Sequence, residues 1–237
     1  MTGARLDRLA WPEVAHRPVL LVPVGSTEQH GPHLPTGTDT RVAQEVADGV
    51  AAAVAGGGLA TVVAPAVSYG ASGEHEHFAG TLSIGHEALE ALIVELARSA
   101  TRWTDRVLLV NGHGGNVPAV RRAVVRLRSE GRDVAWVACS RPGADAHAGA
   151  FETSLMLALA PGSVRAGKVG RGVTDPLERL MPRLRAEGVR AVSATGVLGD
   201  PTAAVAADGR VAYTAMVADV TGLLTRWTPD ADGRLRP

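Results

Sequence analysis

Short runs of apolar residues alternate along this chain with segments in which apolar residues recur every three or four positions. Continuous apolar runs are typical of strands buried on both faces of a sheet, and they lie at 18–24, 59–64, 106–110 and 133–139. Helical spacing is found at 40–55, 86–102, from about 117 onward, 149–160, 176–187 and 216–227. The alternation predicts an α/β fold with a parallel or mostly parallel sheet and helices on both faces.

The predicted helices divide into inner and outer faces. In the helix at 40–55, four valines lie four residues apart on one face; they are Val42, Val46, Val50 and Val54. In the helix at 86–102, the predicted inward residues are Leu89, Leu92, Ile93 and Leu96. Residues 162–190 show little period, and 191–197 are predicted as a further strand. Because no linker or internal repeat interrupts the chain, we expect one domain over residues 1–237.

Composition excludes several classes of function. Lys and Arg number 24 and so do Asp and Glu, which leaves a formal charge of zero and no basic surface for nucleic acid or an anionic membrane. No run of 18 apolar residues exists, so no membrane-spanning helix is expected. The single cysteine, Cys139, forms no internal disulfide, which favours a cytoplasmic location. We expect neither nucleic-acid nor membrane partners.

Candidate chemistry begins in the loop at 25–39, directly after the first predicted strand. Glu28 and His30 are two residues apart, so they point to one side if the segment is extended. Asp39 follows where a helix begins. A carboxylate, an imidazole and a second carboxylate at the end of a buried strand are typical of a divalent metal site. The alternative is a solvated Glu28, a hydrogen-bonded loop His30 and an Asp39 that caps the helix.

Two more loops carry similar residues. His113 lies among glycines at 111–116, after the third predicted strand, where the backbone can approach a ligand closely and adopt positive φ. The spacing fits neither a phosphate-binding loop nor a dinucleotide fingerprint. After the fourth strand come His147 and Glu152, the latter in the first turn of a helix. The alternatives are a tight turn with an incidental His113, and an exposed His147 beside a Glu152 that only stabilises the helix dipole.

The remaining histidines receive supporting roles. For Glu74-His75-Glu76-His77, in the long loop at 65–85, we expect substrate or subunit contact at an exposed tip rather than metal ligation. His33 is expected to support a metal ligand from behind. His16 and His86 are expected at the surface or at helix caps.

The carboxyl ends of parallel strands meet at one edge of a sheet, so these loops should converge. The expected metal ligands are Glu28, His30, Asp39, His113 and Glu152. Five ligands, with a carboxylate free to bridge, fit two divalent ions better than one, and mixed oxygen and nitrogen donors suit Zn²⁺, Mn²⁺ or Fe²⁺. Two such ions lower the pKa of a shared water and polarise a carbonyl, which predicts hydrolysis of a carbon–nitrogen bond.

The motifs around these residues resemble the creatininase (creatinine amidohydrolase) family over about residues 18–225. They read Gly-Ser-Thr-Glu28-Gln-His30-Gly-Pro-His-Leu-Pro, Asn-Gly-His113-Gly-Gly-Asn and His147-Ala-Gly…Glu152-Thr-Ser. The resemblance implies a three-layer α/β/α sandwich, a homo-oligomer that is commonly a hexamer, and a dinuclear metal centre.

Residue by residue, the resemblance implies that Asp39 bridges two ions. Glu28 and His113 would hold one ion, His30 would help to hold the other, and His147 would be the catalytic histidine. Creatininases proper have a glutamate where this chain has Gly115, so Glu152 is expected to complete the second metal shell.

Stretches at 69–75, 78–85 and 195–201 resemble a branch of the family that trims a small modified peptide. The implied substrate is a ribosomally made peptide whose C-terminal Val-Tyr pair is decarboxylated and cross-linked, and the amide before that valine is cleaved. Gly115 and the absence of tryptophan from 140–180 argue against creatinine as the substrate. A formamide or cyclic-amide hydrolase of another cofactor pathway is the alternative enzyme, and a metal-stabilised assembly protein without turnover is the non-enzymatic alternative.

Overall fold

The computed structural model describes residues 4–236. At its centre lies a five-stranded sheet with the order β1-β3-β2-β4-β5. The strands are β1 (Ala4–Arg5), β2 (Val19–Val24), β3 (Thr61–Val63), β4 (Arg106–Asn111) and β5 (Val134–Ala138). Every neighbouring pair is parallel, which confirms the predicted sheet. The short edge strand β1 lies in a segment for which the sequence pattern predicted no strand.

Helices cover both faces of this sheet. They are α1 (Thr38–Val54), α2 (Gly85–Ala100), α3 (Val117–Ser129), α4 (Ala150–Leu159), α5 (Leu177–Glu187), α6 (Val189–Val192) and α7 (Ala206–Arg226). One hydrophobic core joins α1, α4 and α7 to one face of the sheet, and a second core joins α2 and α3 to the other. Alternate strand residues such as Leu20 and Leu21 point to opposite cores. The three-layer α/β/α sandwich is therefore confirmed.

Two helix predictions need correction. Leu92, predicted to face inward on α2, is 39% exposed, whereas Leu89 and Ile93 are buried. Helix α7 begins at Ala206, ten residues before the predicted start at 216. Gly209, a poor helix former, lies in its first turn because a Cβ there would collide with the backbone carbonyl of Ser154 on α4. Gly209 is therefore present for close helix packing, and its low helix propensity is the reason that the start of α7 was predicted too late.

The strand predicted at 191–197 is wrong. Residues 189–192 form the short helix α6, and the chain then turns through Gly196, whose φ is +81°. Together with α5, this segment builds a small third hydrophobic cluster around Leu184, Val189 and Leu198, apart from the two main cores. In the part of the chain that the structure describes, no helix combines the length and apolarity needed to span a membrane.

Hydrogen bonds tie the loops at the carboxyl edge of the sheet to one another. The backbone N–H of Gly112 donates to the carbonyl of Val24, and that of Cys139 donates to the carbonyl of Asn111. The Asn116 side-chain amide donates to the Gly25 carbonyl at 2.9 Å. The loops that follow β2, β4 and β5 are thus held together, as the parallel topology predicts.

Candidate metal centre

Asp39, in the first turn of α1, lies between two imidazoles at this edge. Its Oδ1 is 3.0 Å from Nε2 of His30, and its Oδ2 is 3.3 Å from Nδ1 of His113. All three side chains are buried. One carboxylate oxygen therefore faces each ring, an arrangement that suits a carboxylate shared by two cations.

Glu28 flanks this group and is fully buried. Its Oε2 accepts a hydrogen bond from Ser26 Oγ at 2.8 Å and lies 3.1 Å from Nε2 of His113. The loop that carries Glu28 is fixed locally, because its backbone N–H donates to the Thr36 carbonyl and Gly31 turns with a φ of +65°. The alternative of a solvated Glu28 is therefore wrong.

The charges in this cluster perturb one another strongly. Burial disfavours the charged forms of His30 and His113, but the neighbouring carboxylates outweigh it and raise the pKa of each ring to about 10. Burial also acts on Asp39, yet the two rings hold its pKa well below the ordinary range. Burial dominates at Glu28 and raises its pKa to about 7. Without a cation, two protonated imidazoles therefore offset the negative charge of Asp39 and Glu28.

Two carboxylate oxygens in the cluster, Glu28 Oε1 and Asp39 Oδ2, are buried without a hydrogen-bond partner. Such groups cost free energy unless something compensates them. Glu28, Asp39 and His113 offer donor atoms that all lie within 4.8 Å of one another, and so do His30, His147 and Glu152. The unsatisfied oxygens and the mixed donor set fit divalent cations.

Glu152 and His147 lie on the His30 side of the cluster. Oε2 of Glu152 is 4.0 Å from Nε2 of His30 and accepts a hydrogen bond from the Ala148 N–H at 2.6 Å. The His30 and His147 ring centroids are 4.4 Å apart. His147 is only 7% exposed, so the alternative of an incidental surface histidine is wrong.

Hydrogen bonding indicates the protonation of two of these rings. His30 Nδ1 donates to the Glu28 carbonyl at 3.1 Å, and Nε2 of the protonated ring donates to Asp39 Oδ1 at 3.0 Å. His147 Nε2 lies 2.8 Å from the Gln29 carbonyl and must donate to it, which leaves Nδ1 bare 3.7 Å from Glu28 Oε1. Burial and the nearby rings hold the pKa of His147 well below its ordinary value, so the ring is neutral.

His75 is the residue that sequence reasoning missed. It was predicted at an exposed loop tip, but it is 3% exposed, and its Nε2 lies 3.3 Å from Glu28 Oε1. The Gln29 side-chain amide lies 2.9 Å from His75 Nδ1 and donates to it. Burial lowers the pKa of His75 to about 3, so the ring is neutral and its Nε2–H faces Glu28. The alternating acids and imidazoles gave no signal for this burial, because the pattern does not say which of them turns inward.

Two of the three glycines around His113 serve close packing rather than unusual backbone angles. None of Gly112, Gly114 and Gly115 has a positive φ, contrary to expectation. A Cβ on Gly112 would come within 2.5 Å of the Asp39 carbonyl oxygen, and one on Gly115 would strike the His113 ring.

The remaining histidines lie outside the cluster. His33 supports the site less directly than predicted, because its Nε2 is hydrogen-bonded to Thr153 Oγ1 on α4 at 2.8 Å. His16 and His86 are exposed, as predicted.

A cavity of about 920 Å³ opens beside the cluster. Its floor includes Asp39, His113 and His147, and its outer wall comes from α5 and the α5–α6 turn, with Met181 and Leu184 among the lining residues. A second cavity of about 670 Å³ lies between α4 and α7 and contains none of the acid–imidazole cluster. The first cavity is therefore the one through which a substrate can reach these side chains.

A family model described as creatinine amidohydrolase matches residues 7–224 of this chain. This chain belongs to the creatininase family. Mycofactocin precursor peptide peptidase of Mycolicibacterium smegmatis is 56% identical to it over 219 residues, covering 92% of this chain and 89% of that relative. The protein of the same name from Mycobacterium tuberculosis is 53% identical over 223 residues, with the same coverage.

Solved creatininases confirm the fold. A manganese form superposes with a TM-score of 0.79 at 26% identity and covers 96% of this chain and 100% of its own. Another solved form is described as a Zn-Zn type. The creatininase family is thus a family of amidohydrolases that depend on divalent metals, and this chain is a hydrolase of that family.

Proposed function

We propose that this chain is a peptidase that uses two divalent ions, Fe²⁺, Zn²⁺ or Mn²⁺, to cleave a small modified precursor peptide. The observation that carries the proposal is Asp39, held between His30 and His113 with an unsatisfied oxygen of its own. Glu28 and His113 would hold one ion with Asp39, and His30 and Glu152 would hold the other. When bound, such ions lower the pKa of water and polarise the scissile carbonyl.

His147 is proposed as the catalytic histidine. Its ring is neutral, Nε2–H is committed to the Gln29 carbonyl, and bare Nδ1 faces the interior of the site. A nitrogen in that state can take up a proton and return it to the leaving amine of a cleaved amide. The bond to Gln29, a neighbour of both Glu28 and His30 in the chain, fixes the ring orientation.

A peptide substrate is supported by the relatives and by the cavity. Both relatives described above are named mycofactocin precursor peptide peptidase. The cavity, about 920 Å³, combines the polar cluster with apolar side chains from α5, which suits an apolar peptide end beside a scissile amide. We propose that the enzyme releases the modified C-terminal Val-Tyr dipeptide from that precursor peptide.

The direct test compares the modified precursor peptide with a panel of formamides and cyclic amides, using anaerobically purified protein of measured metal content. We expect release of the dipeptide, loss of activity on chelation and recovery on addition of Fe²⁺, Zn²⁺ or Mn²⁺, with the fold unchanged by circular dichroism. Faster hydrolysis of a cyclic amide or formamide than of the peptide would contradict the peptide assignment.

We further propose a cytoplasmic homo-oligomer, a hexamer on the family resemblance. Several large apolar side chains are exposed on the single chain, among them Trp11 at 87% and Leu82 at 55%. Cys139 is free and buried, which suits a reducing compartment. Light scattering on the purified protein measures the subunit number, and a monomer would contradict this part of the proposal.

A further inference from the structure

Position 115 is a glycine, and the space beside it is filled from another loop. A Cβ built on Gly115 would lie 2.6 Å from Oε1 of Glu74 and 2.6 Å from the carbonyl oxygen of Ala71. It would also strike Nε2 of His113. A side chain at 115 and the observed position of Glu74 are therefore mutually exclusive.

Glu74 lies on the cavity side of His113. Its Oε1 is 3.6 Å from Nε2 of His113, the nitrogen that also lies 3.1 Å from Glu28 Oε2. The Glu74 side chain is 33% exposed and lines the cavity, whereas Glu28, which lies beside the same nitrogen, is fully buried. The two carboxylates thus approach the same ring nitrogen from opposite environments, one from the core and one from the substrate cavity.

We propose that Glu74 is a further carboxylate of the metal centre, directed at the ion that Glu28, Asp39 and His113 would hold. The proposal rests on the metal-dependent function proposed above. Its support is independent of the sequence motifs, since Glu74 lies in a segment assigned from the sequence to substrate or subunit contact. Asp39 Oδ2, which lies 3.3 Å from the same His113 ring and has no hydrogen-bond partner, marks this centre as one that suits cations.

Metal affinity tests this role separately from peptide hydrolysis. Glu74→Gln removes the charge but keeps the shape of a partly exposed side chain, so the fold should survive. Metal-free protein is titrated with Zn²⁺ and with Mn²⁺ against a chromophoric chelator, and the number of sites and their affinities are fitted. Glu76→Gln is the matched control, because Glu76 borders the same cavity, is exposed and lies two residues away.

We expect Glu74→Gln to weaken binding of one ion by about 10- to 100-fold, the range found when a carboxylate supporting a metal site is lost. Binding of the other ion and the circular dichroism spectrum should stay as in the unmodified protein, and Glu76→Gln should bind both ions normally. Unchanged affinities in Glu74→Gln, or equal losses in both variants, would overturn the proposal. If the unmodified protein binds two ions but leaves the peptide intact, the substrate assignment fails while the role of Glu74 is still decided.

Discussion

The acid–imidazole cluster and the cavity wall opposite it are built in different ways. Glu28, His30 and Asp39 are at most 3% exposed and lie where two large hydrophobic cores meet the end of the sheet. The wall formed by α5 and α6 belongs to a small separate cluster with only three buried members, Leu184, Val189 and Leu198. The side chains proposed to carry the chemistry are therefore fixed by the two main hydrophobic cores. The surface that faces a substrate is supported only by the small third cluster.

This difference indicates how the two regions respond to change. A side chain surrounded by a packed core keeps one position, which preorganises a reactive group. A wall with few buried neighbours has lower local stability and can vary without disturbing the fold. We therefore expect substitutions in the cluster to remove activity without changing the fold. Substitutions in the wall should alter substrate preference without changing the metal centre or the reaction.

The largest effect is expected for Asp39→Asn. The amide keeps the shape of the carboxylate but removes the charge between His30 and His113, so both proposed ions would lose a shared ligand. We expect hydrolysis to fall by more than about 100-fold, beyond the loss typical of groups that only support a ligand, together with a lower metal content by elemental analysis. Asp48→Asn, on the same helix α1 and outside the cavity, should leave both unchanged. An Asp39→Asn protein with full activity would falsify the metal-centre assignment.

His147→Gln is expected to have the second-largest effect on activity. Loss of a positioned proton carrier typically costs about 10²- to 10⁴-fold in rate, and we expect kcat to fall within that range. Metal content should fall far less than in Asp39→Asn, because the ion-holding acids remain. His77→Gln is the control, since His77 is exposed near the same cavity. Equal kcat values for His147→Gln and the control would remove His147 from the mechanism.

Metal affinity should depend on pH. In the metal-free protein the pKa values of His30 and His113 are raised to about 10 and that of Glu28 to about 7, so cations must displace protons at neutral pH. Affinity should therefore rise as pH increases from 6 to 8, by up to about tenfold per pH unit for each proton displaced. Calorimetry in buffers of different ionisation enthalpy counts the released protons. Affinity that is constant over this range would show that the ligands are already deprotonated.

Periodicity predicted much of the fold because the sheet is buried on both faces. Strands such as β2 and β4 must then be continuously apolar, and the valines of α1 must lie on one side. The predictions that were wrong concern segments that are not part of this doubly covered sheet or of the buried helix faces. Leu92 faces solvent beside a buried stripe, and Val189 and Val192 pack in the small cluster instead of a strand.

Parallel topology predicted the convergence of Glu28, His113 and His147, because each follows a strand whose carboxyl end is at the same edge. The same argument applies to the loop after β3, which is parallel to β2, but it does not say which residues of that long irregular loop reach the site. Nothing in the local sequence says which of two adjacent residues turns inward. Only the packing of that loop against Gln29 and Gly115 separates buried His75 from half-exposed Glu74.

The smallest effect is expected in the wall, and Met181→Ala measures it. Met181 and Leu180 both pack in the third cluster, but only Met181 lines the cavity. Shortening Met181 removes apolar contact with a bound peptide end, so kcat/KM for the peptide should fall about 3- to 10-fold, within the range for lost apolar pocket contacts. Leu180→Ala removes similar bulk from the same cluster and should leave kcat/KM closer to that of the unmodified enzyme. Since neither variant touches the acid–imidazole cluster, metal content should stay constant in both. Equal losses in the two variants would mean that the wall acts through its stability and not through contact with substrate.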